Sequence, residues 1–160
     1  MTTGVGIQHH SHSLSEVNYG WASLVGIIAT LAMAVFVMPV GALLGFGFFS
    51  VPQGVASLIL SEAAAVTVLG TLFGLALPLA FGVIYGIIFA VLYTWLTSDY
   101  TYTSAISLGI AFGLLLWVIN FVILSTTLTP ALLVAAVPMT VSLIAHLIFG
   151  GFLGLYGRWH

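Results

Sequence analysis

Cysteine and lysine are both absent from the 160 residues, and arginine occurs once, at Arg158. Without cysteine there are no disulfides, iron–sulfur clusters, thiolate zinc sites or cysteine nucleophile. With a single cation there is no basic surface to neutralise phosphates, so nucleic acid is excluded as a partner. Acidic residues are almost as scarce: Glu16, Glu62 and Asp99 complete a charged share of 2% and a formal net charge of -2. Soluble globular domains carry about 25% charged residues, so an ordinary water-soluble domain is excluded too. The catalytic patterns are also missing. No paired carboxylates, no Ser/His/Asp set in plausible proximity and no phosphate-binding loop followed by lysine can be found, which predicts a non-catalytic protein.

What the sequence has is apolar length. The hydrophobic share is 62% and the mean hydropathy +1.31. At about 20 apolar residues per crossing, the chain holds four or five membrane helices. The expected organisation is a polar tail over residues 1–20 and a single transmembrane helical domain over 21–160. The tail has no Lys or Arg to form a secretory n-region, so no cleaved signal peptide is expected and the first crossing should direct insertion itself.

The runs and their breakers predict an all-α membrane bundle of four crossings, at about 21–49, 70–97, 104–124 and 130–157, with one short helix at about 52–68. Tyr19 and Trp21 open the first crossing at the headgroup boundary. Pro39, followed by Gly41, Gly45 and Gly47, argues against a straight helix beyond Met38, and Ser50-Val51-Pro52 offers a new helix start. The segment at 52–68 is short for a span and contains Glu62. Ser57, Ser61 and Glu62 would share one helical face, as in a re-entrant or interfacial segment; a fifth crossing is the alternative. Tyr93, Trp95, Asp99, Tyr100 and Tyr102 form an aromatic belt around a polar turn after the second crossing. Pro78 predicts a kink within it. Thr129 as N-cap with Pro130 after it starts the fourth crossing, which Pro138 should bend by releasing the carbonyl of Val134.

Glycine recurs at four-residue spacing as Gly41/Gly45, Gly70/Gly74, Gly82/Gly86, Gly109/Gly113 and Gly150/Gly154. Such pairs let helix backbones approach closely in lipid. They serve either internal packing or the docking of a partner or a flat cofactor. His146 is the one histidine inside a crossing, and an ionisable group there is a functional hypothesis by default. About 1.5 Å per residue places it near the levels of Gly86 and Gly113. Facing glycines, it could ligate a haem or chlorophyll; the plainer reading is a neutral ring donating to a neighbouring helix. Asn120, three residues after Trp117, matches the depth of Thr140 or Pro138 and suits an interhelical hydrogen bond. Glu62 is either an intramembrane proton or cation site or a group facing water. His9, His10 and His12 have spacing that could hold copper, nickel or zinc, though a polar tail with three histidines is more often simply disordered.

The ending His146-Leu-Ile-Phe-Gly150-Gly-Phe-Leu-Gly154-Leu-Tyr156-Gly157, with Gly109, Gly113 and Trp117 before it and Gly82 and Gly86 in the second crossing, resembles the YagU-like group. These are small four-helix prokaryotic membrane proteins of unknown function. The resemblance covers about the last 80 residues, although the charged loops expected of that group are missing. It implies four crossings and a prokaryotic cytoplasmic membrane, and no activity. By the positive-inside rule Arg158 faces the cytoplasm, and four crossings then put both termini there.

Three functions follow as expectations. The first is an accessory or structural subunit of a larger membrane complex, respiratory or photosynthetic, held among other membrane subunits and bound lipid. The second is a self-contained channel, carrier or sensor using Glu62, Asn120 and His146. The third is a haem- or pigment-binding subunit through His146.

Overall fold

A computed structural model of the chain describes residues 17–97, 101–123 and 137–159. Helix α1 spans Tyr19–Leu43. It begins where the Asn18 side chain accepts from the Trp21 N–H at 3.0 Å, closing one of the open donors of the first turn. Pro39 lies inside α1, which continues past it to Leu43. Proline removes one hydrogen bond, and membrane helices tolerate that loss where neighbours support the backbone. The chain turns only after Leu44, where Gly45 and Gly47 take φ of 86° and 96°, a region that favours glycine.

The short helix expected at 52–68 is two shorter ones, α2 at Ser50–Ala56 and α3 at Glu62–Ala65. Between them the Ser57 hydroxyl donates back to the Gly54 carbonyl at 2.7 Å, and Ser61 caps α3. Both serines are used at helix ends, as serine's competition with the backbone favours. Ser57, Ser61 and Glu62 therefore do not share one helical face.

Helix α4 covers Val68–Leu96, capped by Thr67, and carries Pro78 within it. Helix α5 covers Tyr102–Trp117, capped by Thr101, and widens into a π-helical stretch over Val118–Ile123. Helix α6 covers Met139–Leu153 and tightens into 3-10 turns over Gly154–Trp159. Pro138 does not bend this helix. It stands extended at its N-terminus, with φ -54° and ψ 142°, where proline's fixed φ and missing N–H do no harm. The expected start at Thr129 and Pro130, and Val134, lie outside the described residues.

Among the described residues four helices are long and apolar enough to cross a membrane: Tyr19–Leu43, Val68–Leu96, Tyr102–Ile123 and Met139–Arg158. The protein is an all-α, multi-pass integral membrane protein with short additional helices. Helix α1 packs on α4, α5 on α6, and α1 on α6 between these two hairpins. Helices α4 and α5 meet mainly through rings, with Tyr85 and Phe89 at 6.5 and 5.9 Å from Phe112.

The two hairpins cross in the same way. A Cβ on Gly26 would run into the Gly82 carbonyl and stand 3.1 Å from Gly86 Cα; one on Gly86 would run into the Ala22 carbonyl, 3.0 Å from Gly26 Cα. In the second hairpin a Cβ on Gly113 would run into the His146 carbonyl, 3.0 Å from Gly150 Cα, and one on Gly150 into the Gly109 carbonyl, 3.1 Å from Gly113 Cα. Gly26 thus corresponds to Gly113, Gly86 to Gly150 and Gly82 to His146. In lipid the gain from such crossings is dispersion between closely approaching backbones, since tails are as apolar as the helices.

The remaining glycines serve other contacts. Gly70 and Gly74 lie against the carbonyls of Ala64 and Pro52, which folds α2 and α3 back onto α4, and Gly154 lies against Ile106. Gly41 faces the Ser50 hydroxyl, while Gly45 has nothing near its Cβ position. The Gly41/Gly45 pair is part of a turn and makes no helix crossing.

Candidate functional site

The polar groups converge between α5 and α6. His146, 6% exposed, has its Nδ1 2.9 Å from the Ser142 carbonyl. A carbonyl only accepts, so Nδ1 carries the proton and Nε2 is left as an acceptor. The Asn120 side-chain amide lies 3.4 Å from Nε2 and donates to it. The Phe121 ring closes the site edge-on, its centroid 5.7 Å from the imidazole. Asn120 and Phe121 both belong to the π-helical stretch, an irregularity that is frequent at functional sites.

Asn120 is level with the α6 backbone next to Thr140, as its depth predicts, yet its side chain pairs with His146, and side-chain direction explains it. Gly113 lies against the backbone between His146 and Gly150, so the Asn120 and His146 backbones differ in level by roughly 7 Å at 1.5 Å per residue. Helical side chains lean toward the N-terminus of their own helix. In two antiparallel helices these two lean toward each other and close the gap.

The site leaves two polar atoms over. The Nε1 of Trp117, one turn before Asn120, and the Oγ of Ser142, one turn before His146, are buried with no hydrogen-bond partner. Trp117 shares a helix face with Asn120 by sequence. Ser142 was legible only through its four-residue spacing from His146, which gains meaning once the histidine is known to point inward.

The His146 backbone itself occupies the space over Gly113, and Nε2, the atom that would ligate iron or magnesium, is held by Asn120. Glu62 stands apart from this cluster, exposed in the first turn of α3. His9, His10 and His12 lie outside the described residues.

No family model matches this chain, and neither a curated protein nor a solved structure matches it. The site is therefore argued from its own geometry.

If the amide and imidazole hold α5 to α6, Asn120→Ala and His146→Ala should be non-additive. A double-mutant cycle read by unfolding in mixed detergent micelles is expected to give a coupling of about 0.6 kcal/mol, and at most about 1.7, the range of hydrogen bonds between membrane helices. Additive losses would show that the two side chains do not interact.

The opposite ends of the helices are tied by tyrosines whose partners the sequence does not reveal. The Tyr156 hydroxyl accepts from the Asn18 N–H at 3.1 Å, and the Tyr93 hydroxyl donates to the Thr101 carbonyl at 3.2 Å. Arg158 lies over the Tyr102 ring, 5.1 Å from its centroid, a cation–π contact near the start of α5.

Proposed function

We propose that the protein is a non-catalytic accessory or structural subunit of a larger membrane complex of the respiratory or photosynthetic type. The observation that supports this is the predominantly apolar exterior. Large hydrophobic side chains are exposed along α1 and α4, among them Val35, Leu43, Val68 and Leu69, and in the connection between them at Phe46, Phe48, Phe49, Leu58 and Ile59, where Glu62 is the exposed charge. Even that connection is folded against α4. Among the described residues Glu62 and Arg158 alone carry formal charge, so the described body has little with which to engage a soluble substrate. Its contacts are with lipid and with other membrane helices. Arg158 on the cytoplasmic side of a prokaryotic membrane, by the positive-inside rule, completes this reading.

A second reading, a self-contained channel, carrier or sensor, draws support from the Asn120–His146 pair inside a crossing, since intramembrane ionisable groups often mark transport or sensing. The pair joins two helices, and that use favours the subunit reading. Mild-detergent extraction from native membranes followed by native mass spectrometry is expected to show this chain with defined additional subunits. A monodisperse species that never carries another subunit would overturn the subunit reading.

A further inference from the structure

Residues 44–67 join the spans α1 and α4, and their surface is the reverse of what a loop in water presents. Phe46, Phe48, Phe49, Leu58, Ile59 and Val66 are 45–62% exposed, and Glu62 is the one charge among residues 44–67. A contiguous apolar surface of this kind marks a contact with something other than water. The exposed set is continuous with the outer faces of the two spans, running from Leu43 at the end of α1 to Val68 and Leu69 at the start of α4.

The backbone of this connection is largely closed on itself. After α1 the N–H groups of Leu44, Gly45 and Phe46 donate to the carbonyls of Val40, Ala42 and Gly41 at 3.0–3.1 Å. Between α2 and α3 those of Ser57, Leu58, Ile59 and Leu60 reach carbonyls of α2 at 2.9–3.2 Å, and after α3 those of Val66 and Thr67 reach Glu62 and Ala64. The polar side chains follow the same rule. The hydroxyls of Ser57, Thr67 and Thr71 donate to carbonyls three or four residues back, and Gln53 Nε2 donates to the Thr71 hydroxyl at 3.3 Å. Water would satisfy such groups unaided, whereas lipid offers them no partner, so a segment in contact with lipid must close them internally. What remains facing outward is side chain, because the carbonyls of Pro52 and Ala64 lie against Gly74 and Gly70 in the first two turns of the α4 span.

Glu62 sets the limit of immersion. A charge is costly within hydrocarbon, and the described cation, Arg158, stands over Tyr102, beyond the opposite end of α4. The carboxylate therefore has to reach water or head groups.

We infer that residues 44–67 lie in the interface of one leaflet, with Phe46, Phe48, Phe49, Leu58 and Ile59 seated among its acyl chains and Glu62 at the water boundary. The occupant of this surface is lipid, extending the lipid contact of α1 and α4. The segment broadens the first hairpin in that leaflet and anchors it there, with a strength set by the apolar area it buries. This inference stands whether or not the chain proves to be a subunit of a complex, since a partner could dock on other helix faces.

The chain has no cysteine, so a single introduced cysteine carries a nitroxide label at one known place in the full-length protein. Phe48→Cys, Ile59→Cys and Ala63→Cys are placed in vesicles of phosphatidylcholine and phosphatidylglycerol; the last keeps the Glu62 carboxylate beside the label. Val35→Cys, 75% exposed within α1, is the lipid-facing reference. All four positions are exposed, so the substitutions leave the packing in place. Power saturation reads collisions with oxygen, which partitions into hydrocarbon, against those with a water-soluble nickel chelate. Oxygen should dominate at Phe48 and Ile59 as it does at Val35, and the chelate at Ala63. In native membranes a benzophenone amino acid in place of Phe48 or Ile59 should crosslink on illumination to phospholipid, seen as a phospholipid-sized increase in mass. Chelate dominance at Phe48 and Ile59 would put the connection in water, and oxygen dominance at Ala63 would put it within the hydrocarbon. Crosslinking to a polypeptide in place of lipid would make the surface a protein contact. Any of these three results would overturn the inference.

Discussion

Gly26→Leu is expected to open the first hairpin. Even a Cβ at this position would run into the Gly82 carbonyl and come within 3.1 Å of Gly86 Cα. The obstructing atoms are backbone in the middle of α4 and cannot swing aside as a flexible side chain could. The helices must separate along the crossing, and the contacts of Ala22 and Gly86 are lost with them. Overpacking of a close-packed interior costs about 1–3 kcal/mol and sometimes more; with backbone on both sides the upper end is expected, about 3 kcal/mol. Unfolding of the purified protein in mixed micelles reads this as a large fall in midpoint. Gly113→Leu should behave alike, because it meets the His146 carbonyl in the same way. Gly151→Ala is the control: nothing lies within 4 Å of its Cβ position, so its midpoint should not fall. Equal midpoints for Gly26→Leu and Gly151→Ala would refute the close crossing.

The second large effect is expected at Tyr156. This side chain is fully buried, its ring meets Tyr93 edge-on at 6.0 Å, and its hydroxyl receives the Asn18 N–H just before α1 begins. It holds the end of the last crossing to the beginning of the first, a contact between residues 138 positions apart. Tyr156→Ala removes ring and hydroxyl and leaves a cavity, for which about 3–5 kcal/mol is expected. Tyr156→Phe keeps the ring and strands one N–H, so about 1 kcal/mol is expected. The difference between the two variants, measured by the same unfolding assay, separates packing from hydrogen bonding. If both lost equally little, Tyr156 would not be joining the chain ends.

Helix identity along the chain was readable because the bilayer restricts the choices: an apolar run must form its hydrogen bonds internally, so long runs become helices. A helix start was readable for the same local reason at Ser50, where α2 begins, whereas the cap at Thr101 was not singled out. Proline was less transparent. Pro39 stays within α1 and Pro138 begins α6, and these opposite outcomes depend on the neighbours that support each backbone.

The polar site shows the same division. His146 and Asn120 stand out in any reading, because an imidazole and an amide are conspicuous in a chain with 2% charged residues. Their pairing was hidden, since it depends on two antiparallel helices leaning side chains toward each other and on the widened turn at Val118–Ile123. The unpartnered Ser142 hydroxyl could not be recognised at all before its surroundings were known.

By itself, then, the sequence determined the solvent, the helical class and the four apolar crossings, because hydropathy and hydrogen-bond closure act over neighbouring residues. Only the tertiary structure decided which glycines meet, that α1 and α6 lie between the outer helices, and which polar atoms are satisfied. Those outcomes depend on contacts between distant segments, and in lipid such contacts are set by the fit of one helix surface against another, which hydrophobicity along the chain does not encode.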